Sequence, residues 1–167
     1  MLVSACLLGR RCRYDGGDNR DTVLERELAE KGERAVPFCP EEVGGLDTPR
    51  PPAWLTRAAA EVVEGKGSIV TDAGRDVTAE FLAGAREARA TCAAHGIQRA
   101  YLKERSPSCG VRWTHVGNER VDGPGVTAEL LARAGVETVG VEGRRREPDA
   151  AEAPERGAGA PDDDRAR

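Results

Sequence analysis

Short apolar runs alternate with amphipathic segments along most of this chain, and this alternation restricts its fold more than any other feature. The runs predict buried strands at residues 1–5, 35–38, 99–103 and 137–141. The segments between them predict helices over about residues 21–32, 76–95 and 125–134. Because strands separated by helices form parallel sheets covered on both faces, the sequence predicts a small three-layer, Rossmann-like α/β domain with a mostly parallel sheet.

Capping residues and apolar stripes define the predicted helices. Asp21 can cap the first helix, which carries Leu24 and Leu28 on one face and ends at Gly32. The second helix has an apolar stripe at spacings of three and four residues, formed by Val77, Phe81, Ala85, Ala88 and Cys92. Cys92 is therefore expected to be a core residue.

Two segments depart from the regular alternation. Residues 60–71 resemble a β-hairpin that turns at residues 65–67, and this predicts one hairpin excursion from the main fold. Residues 143–167 are rich in charge and proline, with alanine as the only apolar side chain. Such a segment cannot bury enough surface to order itself. We therefore expect a single domain over residues 1–142 and a disordered, charged C-terminal tail over residues 143–167.

Charge and hydropathy exclude several classes of function. The 167 residues carry a net charge of −4, which argues against a nucleic-acid polymer as the main partner. No apolar run approaches the roughly 20 residues that a membrane span needs. At the N-terminus the basic residues follow the apolar stretch, which is the reverse of a signal peptide. The sequence predicts a cytoplasmic protein without a membrane partner, and it leaves the oligomeric state open.

Three of the five cysteines follow predicted strands. Cys6 and Cys39 come directly after the first two strands, and Cys109 lies a few residues past the third. Because the carboxyl ends of parallel strands meet at one edge of a sheet, we expect these thiols to converge on one crevice. Their separation in sequence suits an iron–sulfur cluster with one open iron. Zinc, or cysteines that bind nothing, remain alternatives, although no paired zinc knuckle is present.

Cys12 has no clear assignment from sequence. It is flanked by Arg10, Arg11 and Arg13, which would favour a reactive thiolate. It could also serve as a fourth metal ligand. The simplest expectation is a solvated thiol in a loop.

Four sequence blocks resemble the family known as domain of unknown function 523, which includes the 2-thiouracil desulfurases. The blocks are VSACLLG with CRYDGG (3–9 and 12–17), CPEEVGGLDTPRPP (39–52), DVTAEF with GA (76–85) and LKERSPSCG (102–110). A further match, GPGVTAELL at 123–131, resembles the closing helix of the family. The blocks occur in order across nearly the whole predicted domain.

The resemblance implies a [4Fe–4S] cluster bound by Cys6, Cys39 and Cys109, with a small thiolated base as substrate. It also implies that Glu41 and Ser106 are catalytic. The expected reaction is redox-neutral: a thiocarbonyl and water give a carbonyl and sulfide. Further residues are weaker candidates for orienting the substrate, namely Arg13, Tyr14, Asp15, Arg50 and Lys103.

Three other functions remain open from the residues alone. The first is a metal-free thiol enzyme that uses Cys12 as nucleophile or redox partner. The second is a small-ligand or sulfur-carrying module without turnover. The third is a zinc hydrolase.

Overall fold

The computed structural model describes residues 1–146, and its central element is a four-stranded parallel sheet. The strands are β1 (Leu2–Ser4), β2 (Val36–Phe38), β5 (Arg99–Lys103) and β8 (Glu137–Val141). Their order is β2-β1-β5-β8, and every neighbouring pair is parallel. These are the four strands predicted from the apolar runs. The strand order reverses direction between β1 and β5, which is where ligands bind in open sheets of this type.

Helices cover both faces of this sheet, so the predicted three layers are confirmed. On one face, α1 (Thr22–Glu30) buries Leu24 and Leu28 against Val3. On the other face, α4 (Thr78–His95) and α5 (Val126–Arg133) pack around Leu2. Leu2 and Val3 point in opposite directions because successive strand residues alternate between faces. As expected, the Asp21 carboxylate accepts a hydrogen bond from the Leu24 amide at 2.8 Å and caps α1.

A second, mixed sheet lies beyond α4 and α5. Its strands are β3 (Ala53–Leu55), β4 (Ile69–Thr71), β6 (Trp113–Val116) and β7 (Glu119–Asp122), in the order β4-β3-β6-β7. Together with α3 (Ala59–Val63), it buries Leu55, Val62 and Ile69 against Phe81 of α4. This sheet forms one wall of the cleft described below.

The hairpin predicted over residues 60–71 is wrong. Its first arm belongs to α3, and its second arm is β4, which pairs antiparallel with β3. In the helix, Val62 is fully buried in the core cluster with Leu55 and Ile69. The hairpin in the described residues is formed instead by β6 and β7, which are separated by Gly117 and Asn118.

A short helix, α2 (Pro40–Val43), contacts α4 at backbone distance. A Cβ atom on Gly84 would collide with the carbonyl oxygen of Pro40, and one on Gly44 would collide with the carbonyl oxygen of Glu80. Glycine is therefore required on both sides of this contact. The contact fixes α2 at the carboxyl edge of the parallel sheet.

The start of the predicted tail is attached to the domain. The Arg145 guanidinium pairs with the fully buried carboxylate of Asp21 at 2.8 Å, and the Arg144 amide donates to the carbonyl of Asn19. Residues 147–167, which form the rest of the predicted disordered tail, lie outside the described residues. Within residues 1–146, no helix is both long enough and apolar enough to cross a membrane.

Candidate active site

Cys6, Cys39 and Cys109 lie along one cleft of about 1080 Å³ at the carboxyl edge of the parallel sheet. They follow β1, β2 and β5, which are the strands on either side of the reversal in strand order. Their exposures are only 8%, 9% and 5%, so each thiol is largely removed from water. The structure therefore brings together the three thiols that sequence reasoning expected to converge.

The backbone around Cys6 and Cys39 turns sharply after each strand. Cys6 lies in a 3₁₀ turn, Ala5–Leu8, which ends at Gly9 with a φ of 86°. Only glycine adopts this left-handed conformation without strain. Cys39 is the N-cap residue of α2, and Pro40 begins that helix. Both thiols are thus held on short, well-defined turns rather than on long loops.

The loop that carries Cys109 is organised by two acceptors. The Ser106 hydroxyl accepts hydrogen bonds from the amides of Ser108 at 3.1 Å and Cys109 at 3.0 Å. The buried carboxylate of Glu104 accepts from the Val111 amide at 3.0 Å and from the Arg112 side chain at 2.8 Å. Burial raises the pKa of Glu104, but these hydrogen bonds outweigh it and hold the pKa below its ordinary value.

Glu41 connects this loop to α2. Its Oε2 atom lies 2.8 Å from Arg50 Nε and 2.7 Å from the second Arg50 nitrogen, so both nitrogens anchor this one oxygen. Its Oε1 atom accepts a hydrogen bond from the Ser106 hydroxyl at 3.4 Å. Arg50 also donates to the Cys12 carbonyl at 3.0 Å. One hydrogen-bonded set therefore joins Arg50, Glu41, Ser106 and the Cys109 amide.

Cys12 is a fourth buried thiol and not the solvated one expected. It is 2% exposed. Its sulfur lies within 4.8 Å of the Cys39 sulfur, and its carbonyl accepts a hydrogen bond from the Cys39 thiol at 3.8 Å. Interaction of its thiol with Cys39 first, and with Cys6 second, raises the pKa of Cys12.

The same contacts favour thiolates on the other two residues. The hydrogen bond from Cys12 lowers the pKa of Cys39 to about 7 and also lowers the pKa of Cys6, in each case against the effect of burial. Burial raises the pKa of Cys109. The surroundings of Cys39 and Cys6 thus favour the anionic thiolate over the neutral thiol.

The weaker candidate residues do not all lie in the cleft. Arg13, Tyr14, Arg50 and Lys103 line it. The Lys103 ammonium donates to the carbonyl of Glu104 at 2.7 Å, and burial lowers its pKa. Asp15 is outside the lining and instead bonds to the Arg13 guanidinium at 2.9 Å. Its role in the structure is that of an ion-pair partner.

Sequence reasoning missed two residues that support the site. Asn19 donates to the Cys6 sulfur at 4.0 Å and accepts from Arg13 at 2.6 Å, and no local pattern indicated it. Glu104 is fully buried, and its position directly after β5 and before the cysteine loop was the available signal. A charged residue at a strand end is rarely buried without a structural or catalytic reason.

The donor set fits an iron–sulfur cluster. Three buried thiols face one roomy cleft, and two of them are biased toward the thiolate form that binds iron. Fold and site together define an α/β protein with a thiolate centre at the strand-reversal point and an acid–hydroxyl pair beside it.

Comparison with known proteins identifies the family. The sequence model of the 2-thiouracil desulfurase family matches residues 1–142, so the chain belongs to that family. It is 38% identical over 143 residues to the uncharacterized protein YbbK of Bacillus subtilis (strain 168), covering 83% of this chain and 93% of YbbK. It is 44% identical to the solved [4Fe-4S]-dependent thiouracil desulfidase TudS, with a TM-score of 0.71, covering 84% of this chain and 89% of TudS. The resemblance found in the sequence blocks is confirmed.

Proposed function

We propose that this protein is a [4Fe–4S]-dependent desulfurase that converts a thiolated nucleobase, such as thiouracil, and water into the oxo base and hydrogen sulfide. The observation that carries the proposal is the hydrogen-bonded set of Arg50, Glu41 and Ser106 beside three converging thiols. Membership of the 2-thiouracil desulfurase family and the likeness to TudS support it. The reaction is hydrolytic and redox-neutral.

Cys6, Cys39 and Cys109 would hold the cluster. With three protein ligands for four irons, a cluster bound there would supply Lewis acidity toward the thiocarbonyl sulfur. Asn19 steadies Cys6 through its amide, and the Ser106 hydroxyl steadies the backbone of Cys109.

Glu41 is the proton-transfer residue of the proposed mechanism. Arg50 fixes its Oε2 atom, so Oε1 is the oxygen that faces Ser106 and the cleft. Oε1 takes one proton from the attacking water as its hydroxyl adds to the carbon, and the carboxyl passes that proton to the sulfur. As the C–S bond breaks, the added hydroxyl becomes the carbonyl and gives up the second proton, which Oε1 also relays to the sulfur. Sulfur therefore leaves as hydrogen sulfide, and no electron donor is required.

Ser106 positions the reacting groups. Its hydroxyl donates a hydrogen bond to Glu41, and its oxygen accepts hydrogen bonds from the backbone amides of Ser108 and Cys109. Lys103 and Tyr14 lie on the cleft wall, where they can contact the polar edge of a base. A small-molecule substrate in this cleft would contact loops of the parallel sheet on one side and the second sheet on the other.

The decisive experiment uses Glu41→Gln in anaerobically purified protein. Iron and sulfide content should match the unaltered protein, because Glu41 is not a thiol ligand, while sulfide release from thiouracil falls by at least about 10²-fold. Glu119→Gln, an exposed change on β7, is the matched control and should retain full turnover. Full activity of Glu41→Gln would remove Glu41 from the mechanism. A protein that binds cluster but never releases sulfide would contradict the desulfurase proposal.

The rival functions are less favoured. A metal-free thiol enzyme built on Cys12 requires an accessible nucleophile with a low pKa, whereas Cys12 is 2% exposed and its pKa is raised by the neighbouring thiols. Family membership favours turnover over simple sulfur carriage. A cytoplasmic location belongs to the same proposal, since all five cysteines are free, as in a reducing compartment.

A further inference from the structure

One cluster of metal-binding side chains is not explained by the desulfurase mechanism. Single donor atoms of Cys12, Cys39 and Glu42 all lie within 4.8 Å of one another. Of these, only Cys39 belongs to the proposed cluster-binding set. Cys12 and Glu42 have no part in the proposed reaction.

The surroundings of Glu42 indicate a ligand position. Its Oε1 atom is held by the Thr48 hydroxyl at 2.9 Å. Its Oε2 atom is buried and, among the described residues, accepts no hydrogen bond of good geometry. The exposed guanidinium of Arg10 forms an ion pair with Oε2 at 2.8 Å, from the solvent side. Because the Arg10 side chain is 61% exposed, this ion pair contributes little to stability, and a divalent cation can replace the guanidinium at Oε2.

The positions of the three residues are fixed independently of any metal. Cys39 and Glu42 stand at the N-cap and in the first turn of α2, whose place is set by the glycine contact with α4. Cys12 is held because its carbonyl accepts from Arg50. Two sulfurs and one oxygen are the donors that zinc prefers, and tetrahedral Zn–S bonds of about 2.3 Å place donors roughly 3.5–4 Å apart. The three donor atoms therefore need to move only a short distance toward one another to bind zinc.

We propose that Cys12, Cys39 and Glu42 form a mononuclear site for a thiophilic divalent cation of the Zn²⁺ class. The site shares Cys39 with the proposed iron–sulfur cluster. Because both would draw on the same sulfur, we expect the cation and the cluster to compete for the protein. Excess Zn²⁺ should consequently block iron loading of the cluster-free protein, and a loaded cluster should exclude Zn²⁺.

The test uses Co²⁺ as a coloured substitute for Zn²⁺. The full chain, freed of iron under anaerobic conditions, is titrated with Co²⁺, and the thiolate-to-cobalt absorption band is recorded. We expect one equivalent to bind and to be displaced by Zn²⁺. Cys12→Ser and Glu42→Gln should each weaken binding by about 10-fold or more. Cys109→Ala should bind Co²⁺ like the unaltered chain, because Cys109 is not one of the three donors.

Reconstitution of the iron–sulfur cluster in the same variants distinguishes the two sites, because the variants that lose Co²⁺ binding should differ from the variant that loses the cluster. Cys109→Ala should lose the cluster, while Cys12→Ser and Glu42→Gln should keep the iron and sulfide content of the unaltered chain. Circular dichroism verifies that each variant is folded. If Cys12→Ser does not fold, Glu42→Gln alone tests the proposed cation site. Undiminished Co²⁺ binding in Glu42→Gln, or loss of Co²⁺ binding in Cys109→Ala, would overturn the proposal. Failure of the unaltered chain to release sulfide would affect the desulfurase proposal alone.

Discussion

Gly84→Ala should impair both the fold and the site, because α2 and α4 meet there at backbone distance. A Cβ atom on Gly84 would collide with the carbonyl oxygen of Pro40. Pro40 stands between Cys39 and Glu41, so relief of the collision must move a proposed cluster ligand and the proposed proton-transfer residue together. The required shift of α2 is on the order of 1 Å.

Two opposing effects determine the magnitude. Replacing glycine by alanine inside a helix stabilises it by about 0.5–1 kcal/mol. Overpacking a close contact costs about 1–3 kcal/mol. We expect the free energy of unfolding to fall by about 1–2 kcal/mol. A misplacement on the order of 1 Å near reacting groups can reduce the rate about 10²-fold.

The assay combines urea unfolding of the cluster-free protein with the rate of sulfide release per bound cluster. Ala90→Gly is the matched control, because Ala90 lies on the exposed face of the same helix. It should lose about 1 kcal/mol of stability from helix propensity and keep its rate. If Gly84→Ala proved more stable than the unaltered protein, or matched Ala90→Gly in rate, the inferred role of the glycine contact would be refuted.

Three further changes test other parts of the structure. Ser106→Ala should lower the rate of sulfide release about 10²-fold and make the cluster lose iron faster, because the hydroxyl is hydrogen-bonded to both Glu41 and the Cys109 amide. Stopped assays of sulfide release and the kinetics of iron chelation check these two effects. Glu104→Gln should lower the free energy of unfolding by about 1–3 kcal/mol near pH 7. Because the pKa of Glu104 is lowered on folding, its contribution is present above the unfolded-state pKa and disappears as pH falls through the folded-state pKa. Urea unfolding at falling pH should therefore show the variant and the unaltered chain converging, and a constant difference would contradict this. Arg145→Ala should lower the free energy of unfolding by about 2 kcal/mol, because the buried Asp21 carboxylate loses its cationic partner. An unchanged midpoint of urea unfolding would show that this ion pair does not stabilise the fold.

The parallel sheet and its helices were predictable because their signals are local. The Asp21 cap, the leucines of α1 and the stripe ending at Cys92 all appear in the structure as the sequence indicated. The second sheet was missed because β4 was assigned to a hairpin with the segment that forms α3, whereas β4 pairs with β3 on the other side of that helix, a pairing that no local pattern encodes. A Gly-Asn pair at residues 117–118 was the available signal for the β6–β7 hairpin.

The site was predictable to the extent that it depends on strand ends. Cys6 and Cys39 follow strands directly, so their convergence comes from topology alone. The pairing of Arg50 with Glu41 depends on how the chain returns across the cleft after α2, which no local pattern encodes. The burial of Cys12 was likewise hidden, because three neighbouring arginines suggested a solvent-exposed segment.

The wide spacing of the three thiols affects the order in which the protein can mature. Cys6 and Cys39 are synthesised early, but Cys109 follows β5, which must insert beside β1 before the third sulfur reaches the others. The complete set of three thiols therefore does not exist until β5 has paired with β1. We expect assembly of a cluster on all three sulfurs to follow formation of the parallel sheet.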